Sequence, residues 1–281
     1  MLTWIDSHCH LDAFEFNADR DECRQQARKI GVEHCIYPAV HPSNFLQVQQ
    51  LAHQYQDSYA IGIHPLYVGA LSSSDLDTLE QFLETHYTDP RLVAIGEIGL
   101  DYFDPRVNTL ELKEKQWYFY LAQLKLAKKY CLPVLLHNRQ SADMVLKGLR
   151  QIMGGQSLGG IAHAFNGSTQ QAKHLLKMGI KLGFGGACTY SRAQHLQSLL
   201  KQLPADAIVL ETDSPDMIPS WIYRTALERS QGQVQSRNTP AQIVAIAQFI
   251  AQIKAISPEQ LALETQQNLL AAIPRLTMLL K

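Results

Sequence analysis

Leu92-Val93-Ala94-Ile95-Gly96-Glu97-Ile98-Gly99-Leu100-Asp101 is an apolar run that turns into carboxylates at its far end. Leu92–Gly96 suits a buried strand, because a short continuous apolar stretch is covered on both faces only in a sheet flanked by helices. Glu97 follows the strand among glycines, which let other groups approach the backbone closely. A carboxylate in such a place is costly unless paired, and bound cations would pair it.

The same arrangement recurs along the chain. Further strands are expected near Thr3–Ser7, His34–Val40, Tyr59–Ile63, Pro133–Leu136, Gly160–Ala164, Lys181–Gly185 and Ala207–Glu211. Amphipathic segments lie between them. Leu112–Tyr130 places Trp117, Leu121, Leu124 and Ala127 at helical spacing. Thr239-Pro240-Ala241-Gln242 and Ser257-Pro258-Glu259-Gln260 read as capping boxes with proline in the first turn of a helix. Strands alternating with helices in this way predict an α/β fold, a closed parallel (β/α)₈ TIM barrel, in a single domain over residues 1–281. An open doubly wound sheet is the alternative, because periodicity does not show closure.

In such a barrel the functional side chains stand at the C-terminal ends of the strands. Those ends read Asp6-Ser7-His8-Cys9-His10, Gly62-Ile63-His64-Pro65, Gly96-Glu97, Leu136-His137-Asn138-Arg139, Ala162-His163-Ala164 and Glu211-Thr212-Asp213-Ser214-Pro215. His8 and His10 are two apart, so on an extended backbone both imidazoles point to one side, as two ligands of one cation would. Cys9 between them points away and is expected to pack. No lysine stands at the ends of strands four or five, which leaves Glu97 as the bridging ligand between two cations. His137 and His163 would complete a second nitrogen-and-oxygen site. Asp213 lies two residues after Glu211 on the same side, so one is expected to face the metal and the other to brace a neighbour. Arg139 should lean with His137 toward the site and could fork onto phosphate oxygens. Arg237 is a second polar candidate near the barrel mouth, and the long polar segment Met217–Arg237, with Trp221 and Tyr223, is expected to contact substrate.

Composition narrows the function classes. The chain of 281 residues is 46% hydrophobic, which excludes wholesale disorder, and Lys plus Arg number 25 against 26 Asp plus Glu. A net charge of −1 excludes a polycation that coats nucleic acid or membrane. An anionic substrate must therefore be drawn by a local field, which two divalent cations would supply. No apolar run approaches a membrane span, the N-terminus does not resemble a signal peptide, and the five cysteines are scattered without a CxxC pair. A cytoplasmic location is expected, with no membrane contact and no obligate protein partner.

These motifs together resemble the TatD family of metal-dependent deoxyribonucleases, within the amidohydrolase superfamily. The matching stretches are Asp6–Asp12, Gly96–Tyr102, Leu136–Arg139, His163–Ser168 and Glu211–Pro215, in the family's order; Asp216 and Gly185–Tyr190 are most like one enterobacterial branch of it. The resemblance implies a (β/α)₈ barrel with a binuclear centre. His8, His10, Glu97 and Asp213 would bind one cation, and Glu97, His137 and His163 the other. It further implies hydrolysis of phosphodiester bonds at DNA ends in a 3′→5′ manner, with magnesium or manganese as the divalent metal, while imidazole ligands also suit zinc. Asp213 and Glu97 would be the catalytic carboxylates, and His64, Arg139 and Arg237 would bind substrate. The sequence departs from the pattern at Asp216, in the length of the Met217–Arg237 loop, and in lacking an arginine three residues after Asn268. A polarised water can also attack a carbonyl carbon, so a small carboxylic ester, lactone, amide or aminoacyl ester is the alternative substrate class. A non-catalytic binding module would lack a ligand, and all six are present.

Overall fold

The computed structural model describes residues 2–280. Its strands are β1 (Trp4–Asp6), β2 (Val32–Pro38), β3 (Ser58–Ile61), β4 (Leu92–Asp101), β5 (Val134–Arg139), β6 (Gly160–Ala162), β7 (Ile180–Phe184) and β8 (Ile208–Leu210). They pair in parallel, each with the next in chain order, in one eight-stranded sheet. The sheet closes on itself: Ser7 donates its N–H to the Leu210 carbonyl at 3.0 Å, and Asp213 donates to the His8 carbonyl at 2.9 Å. Those bonds between the first and last strands decide for the barrel over the open sheet.

Helices α1 (Arg20–Lys29), α2 (Phe45–Tyr55), α3 (Ser73–His86), α4 (Leu110–Lys129), α5 (Ala142–Met153), α6 (Thr169–Lys177) and α7 (Gln194–Gln202) alternate with the strands. After β8 come α8 (Ala226–Ser230), α9 (Ile243–Lys254) and α10 (Pro258–Ala272). Helix α4 begins two residues ahead of its apolar pattern because Thr109 Oγ1 accepts the Leu112 N–H at 3.2 Å. Ser257 caps α10 by accepting the Gln260 N–H at 3.1 Å. Thr239 makes no such bond, contrary to the sequence expectation; Pro240–Gln242 form a 3₁₀ turn and the α-helix starts only at Ile243. Among the described residues no single helix is long and apolar enough to cross a membrane.

Two apolar layers hold the barrel. Inside it, Ile5, Ile36, Ala60, Val93, Leu135, Ile161 and Val209 meet Leu269, Ala272, Ile273 and Leu276 from α10 and the turn after it. That plug sits at the N-terminal end of the strands. Asn268 Nδ2 donates to the carbonyls of Ala205 and Ile208, and the Arg275 guanidinium donates to those of Tyr87 and Leu92. Outside the barrel a larger cluster packs the helices onto the strands. Each buried aliphatic side chain contributes about 1.5–3 kcal/mol, so both layers are strongly specified. With one end plugged by apolar side chains, polar chemistry has only the other end to occupy.

Strand lengths depart from expectation in an informative way. β1, β6 and β8 are only three residues long, although the first polar residue beyond each, Ser7, His163 and Glu211, still donates its N–H to the neighbouring strand. β4 and β5 run further than their apolar stretches, pairing Gly99 with His137 and Asp101 with Arg139. Between the Ile95–Val134 and Ile98–Leu136 pairs, β4 spends three steps against two on β5, which is a bulge at Gly96 and Glu97. A side chain at Gly96 would put its Cβ 2.5 Å from the Leu135 Cβ, so only glycine fits. The bulge re-aims Glu97 toward the mouth of the barrel.

Candidate metal centre

Two groups of donor atoms converge on Glu97, which is buried at the floor of the open end. On one side, Oε2 lies 3.2 Å from His8 Nε2 and 3.5 Å from His10 Nε2. Asp213 Oδ1 is 3.7 Å from His8 Nε2 and 3.6 Å from His10 Nε2, and the two imidazole nitrogens are 3.3 Å apart. On the other side, Oε1 lies 2.8 Å from His163 Nε2, 2.9 Å from His137 Nδ1 and 3.3 Å from His64 Nε2. Ligand bonds of 2.0–2.1 Å in tetrahedral array would set neighbouring donors ~3.4 Å apart. In the first group, His8 and His10 lie 3.2–3.7 Å from each other and from the two carboxylates, close to that edge length. Imidazole and carboxylate donors suit zinc and manganese and tolerate magnesium.

The electrostatics of this cluster show what a cation would relieve. Burial by itself would push Glu97 up, but the imidazoles of His163, His64 and His8 outweigh it and hold the carboxyl well below the usual carboxylate range. Against its own burial, the hydrogen bond and charge of Glu97 carry His10 up to about 9; Glu97, Asp213 and Glu211 carry His163 up to about 10. Burial and the neighbouring His163 push His8 down to about 3, and burial pushes His64 down to about 4. Two imidazolium protons thus occupy positions where cations would sit.

Three of the imidazoles have a carboxylate behind them, but only His137 is hydrogen-bonded to it, and His8 Nδ1 is buried without a partner. His137 presents Nδ1 to the cluster while Nε2 donates to Asp101 Oδ2 at 3.0 Å. The other Asp101 oxygen accepts the N–H groups of Phe103 and Asp104, both at 2.9 Å. His10 turns Nδ1 toward Asp12 Oδ1, 4.0 Å away, and His163 turns Nδ1 toward Glu211 Oε1, 3.9 Å away. A carboxylate behind a ligating imidazole fixes its tautomer and raises its basicity. Asp6 accepts from the N–H and hydroxyl of Thr212 and from the His8 N–H, tying the β1 end to the β8 end; burial pushes it up to about 7. His64 accepts the Leu66 N–H at Nδ1, so its ring proton sits on Nε2 and points at Glu97.

After β8 the two carboxylates face different neighbours. Asp213 faces His8 and His10 from a left-handed backbone (φ 53°), a conformation that a short polar side chain tolerates. Glu211 instead accepts the Ala164 N–H and is pushed up to about 8 by burial. A Cβ at Gly183 would lie 2.0 Å from Glu211 Oε2, so glycine makes room for that carboxyl. Cys9 is fully buried in the outer apolar layer, away from the ligands.

The substrate-binding expectations divide. His64 and Arg139 line the cavity of about 1590 Å³ above the cluster. Arg139 is half exposed and stacks on Phe103, its guanidinium carbon 4.0 Å from the ring centre. Arg237 is not part of that wall. Its guanidinium pairs with Asp19, donates to the Glu15 carbonyl and lies over Phe16, where it pins α1. The Met217–Arg237 segment also differs from expectation. Met217 reaches the cavity, but Trp221 is bonded to Gln242 and Tyr223 packs on Tyr190. Thr225 and Glu228 form a capping box that makes α8, a signal the sequence carried. The roles of Asp6, Asp12 and Asp101 in bracing ligands had no sequence signal beyond their place in the motifs, because spacing does not name a partner across the barrel.

Comparison with known proteins follows the same line. The model of the TatD related DNase family matches residues 5–273. The metal-dependent hydrolase YjjV of Escherichia coli is 38% identical over 246 residues, covering 86% of this chain and 88% of that protein. Human deoxyribonuclease TATDN3 is 35% identical over 288 residues, covering 99% of this chain and 97% of that one. The crystal structure of E. coli YjjV superimposes with a TM-score of 0.85 at 33% identity, over 96% of this chain and 98% of that one.

Proposed function

The chain belongs to the TatD family of metal-dependent hydrolases, and from that premise we propose that it cleaves phosphodiester bonds at DNA ends, using a water activated at a binuclear divalent-metal centre. The observation that carries this reading is Glu97, one carboxylate whose two oxygens face two separate donor groups. His8, His10, Glu97 and Asp213 would hold one cation; Glu97, His137 and His163 would hold the other. When bound, the cations supply an acidified water and neutralise charge on the phosphoryl oxygens. Magnesium, manganese or zinc would fill this role.

The protein's own groups do the rest. Asp213 Oδ1 sits between His8 and His10, where it orients the attacking water and accepts its proton. Burial and the neighbouring Glu97 push its carboxyl upward, against the pull of His163 and His10, which raises its basicity as a proton acceptor. His64, neutral with its proton on Nε2, donates a hydrogen bond into the site. Arg139 stands at the rim, within reach of a phosphate that enters the cavity. The free cysteines, four of them buried, suit a reducing cytoplasm, where we place the protein.

A second reading has one observation in its favour. Arg139 is the lone Arg or Lys on the cavity wall among the described residues, whereas Asp12, Glu15, Asp143 and Asp216 add carboxylates there. That lining suits a carboxylic ester, lactone, amide or aminoacyl ester better than a long polyanion. Nucleotide release from a 3′-end-labelled single-stranded oligonucleotide tests the choice, with Mg²⁺, Mn²⁺ and Zn²⁺ compared and Glu97→Ala purified in parallel. Metal-dependent release that the variant lacks is expected. No release from metal-loaded protein would reject phosphodiester hydrolysis and favour the ester reading.

A further inference from the structure

Because the strands follow one another in chain order around the barrel, the loops after β1 to β5 are neighbours along one half of its mouth. Each of those strand ends and loops puts at least one flat π-surface on the cavity wall: Phe14, His41, Tyr67, Phe103 and Arg139, with His64 and Tyr102 beside them. Phe14 is 78% exposed, Tyr67 46% and Phe103 48%. Neighbouring members already touch, with the rings of His41 and Tyr67 5.7 Å apart and Arg139 stacked on Phe103. Scattered exposed aromatics are ordinary on a protein surface, but one from each successive loop around a single cavity forms an arc. The other half of the rim has no exposed series: Phe165 and Phe184 line the cavity there but are buried, and Asn166 and Gln171 follow β6 while Asp216 and Met217 follow β8.

We propose that this arc is a stacking track for the unpaired bases of the terminal nucleotides, holding them while the scissile phosphate rests at the metal centre. The inference rests on the phosphodiester reading and extends it to named residues. Every nucleobase has a π-face and little else in common, so a wall of flat rings with one cation grips any sequence and carries no base-edge readout. It also explains how a cavity with one arginine can hold a nucleic-acid end. The bases contribute the grip that a row of basic side chains would otherwise supply.

The test compares two single-stranded oligonucleotides, one natural and one abasic at its last three 3′ positions, with metal-loaded protein. Stacking is worth roughly 1–3 kcal/mol per base, about 5- to 150-fold for a single base, so the wild type should prefer the natural strand by at least about 10-fold in kcat/KM and by more if all three bases stack. Phe14→Ala and Phe103→Ala should raise KM on the natural strand and move the natural-to-abasic ratio toward one. Tyr118→Ala, an exposed aromatic on α4 away from the cavity, should leave the ratio as in the wild type. Equal wild-type rates on both strands would overturn the stacking track and leave phosphodiester hydrolysis standing. Hydrolysis of neither strand by metal-loaded protein would overturn both.

Discussion

Replacing Asp101 by Asn removes one negative charge and no volume, and its consequences can be worked through atom by atom. One Asp101 oxygen accepts two backbone N–H groups, from Phe103 and Asp104. An asparagine must keep its carbonyl oxygen there, so its NH₂ takes the place of Oδ2 and faces His137 Nε2, 3.0 Å away. His137 then has to accept at Nε2, which moves the ring proton to Nδ1, the atom that faces Glu97 and His163. A protonated Nδ1 cannot ligate. Changes of this kind behind a ligating histidine cost about 10- to 100-fold in metal affinity, or ~1.4–2.7 kcal/mol. Titration of metal-free wild type and Asp101→Asn against a metal buffer reads that loss directly. The turn that Asp101 anchors keeps its backbone bonds, so the metal-free variant should unfold near the wild-type temperature. Unchanged affinity for every bound cation in a folded variant would refute the tautomer argument.

Asp213→Asn keeps the shape of the side chain but not its basicity; kcat should fall about 10²- to 10⁴-fold with the fold intact, and near-normal turnover would remove Asp213 from the proton-accepting role. The metal-free protein should lose stability as pH rises above 6.5, the ordinary histidine value, because His10, His163, Asp6 and Glu211 all keep their protons to higher pH folded than unfolded. His10 and His163, raised to about 9 and about 10, contribute stability that is complete below 6.5 and is lost as pH rises through those values. His8 and His64, lowered to about 3 and about 4, destabilise the fold as pH drops below 6.5, since the unfolded chain takes up their protons first. Cation affinity should instead climb with pH toward 10, because the His10 and His163 protons must leave; scanning calorimetry should show stability falling above pH 6.5 without metal and staying nearly level at saturating metal, and parallel falls would contradict this account. Away from the site, Arg24 is fully buried and pairs with Asp57 through two bonds of 2.6 and 2.7 Å. Arg24→Ala should cost about 3–5 kcal/mol in denaturant unfolding by stranding that carboxylate, and a loss below ~1 kcal/mol would mean that Asp57 is served by its other donors.

The linear chain carried the set of apolar runs, the polar residues that end them and the order in which they come. Alternating strands and helices already imply a parallel sheet, and His8, His10, Glu97, His137, His163 and Asp213 stand at strand ends in the linear chain. Ligand chemistry is legible there because imidazole and carboxylate seldom end a buried strand without a partner. Closure was not legible, since it depends on hydrogen bonds between residues such as Ser7 and Leu210 that lie some two hundred positions apart. The bracing of His137 by Asp101 and of the β1 end by Thr212 likewise came from the fold. Arg237 shows the same limit from the other direction. Its place beside the last loop suggested a substrate contact, yet the fold brings Asp19, Glu15 and Phe16 to it first. Residue type and local spacing fix what a side chain can do, while its partner is set by which loops the barrel makes neighbours, and that is decided only when the strands close.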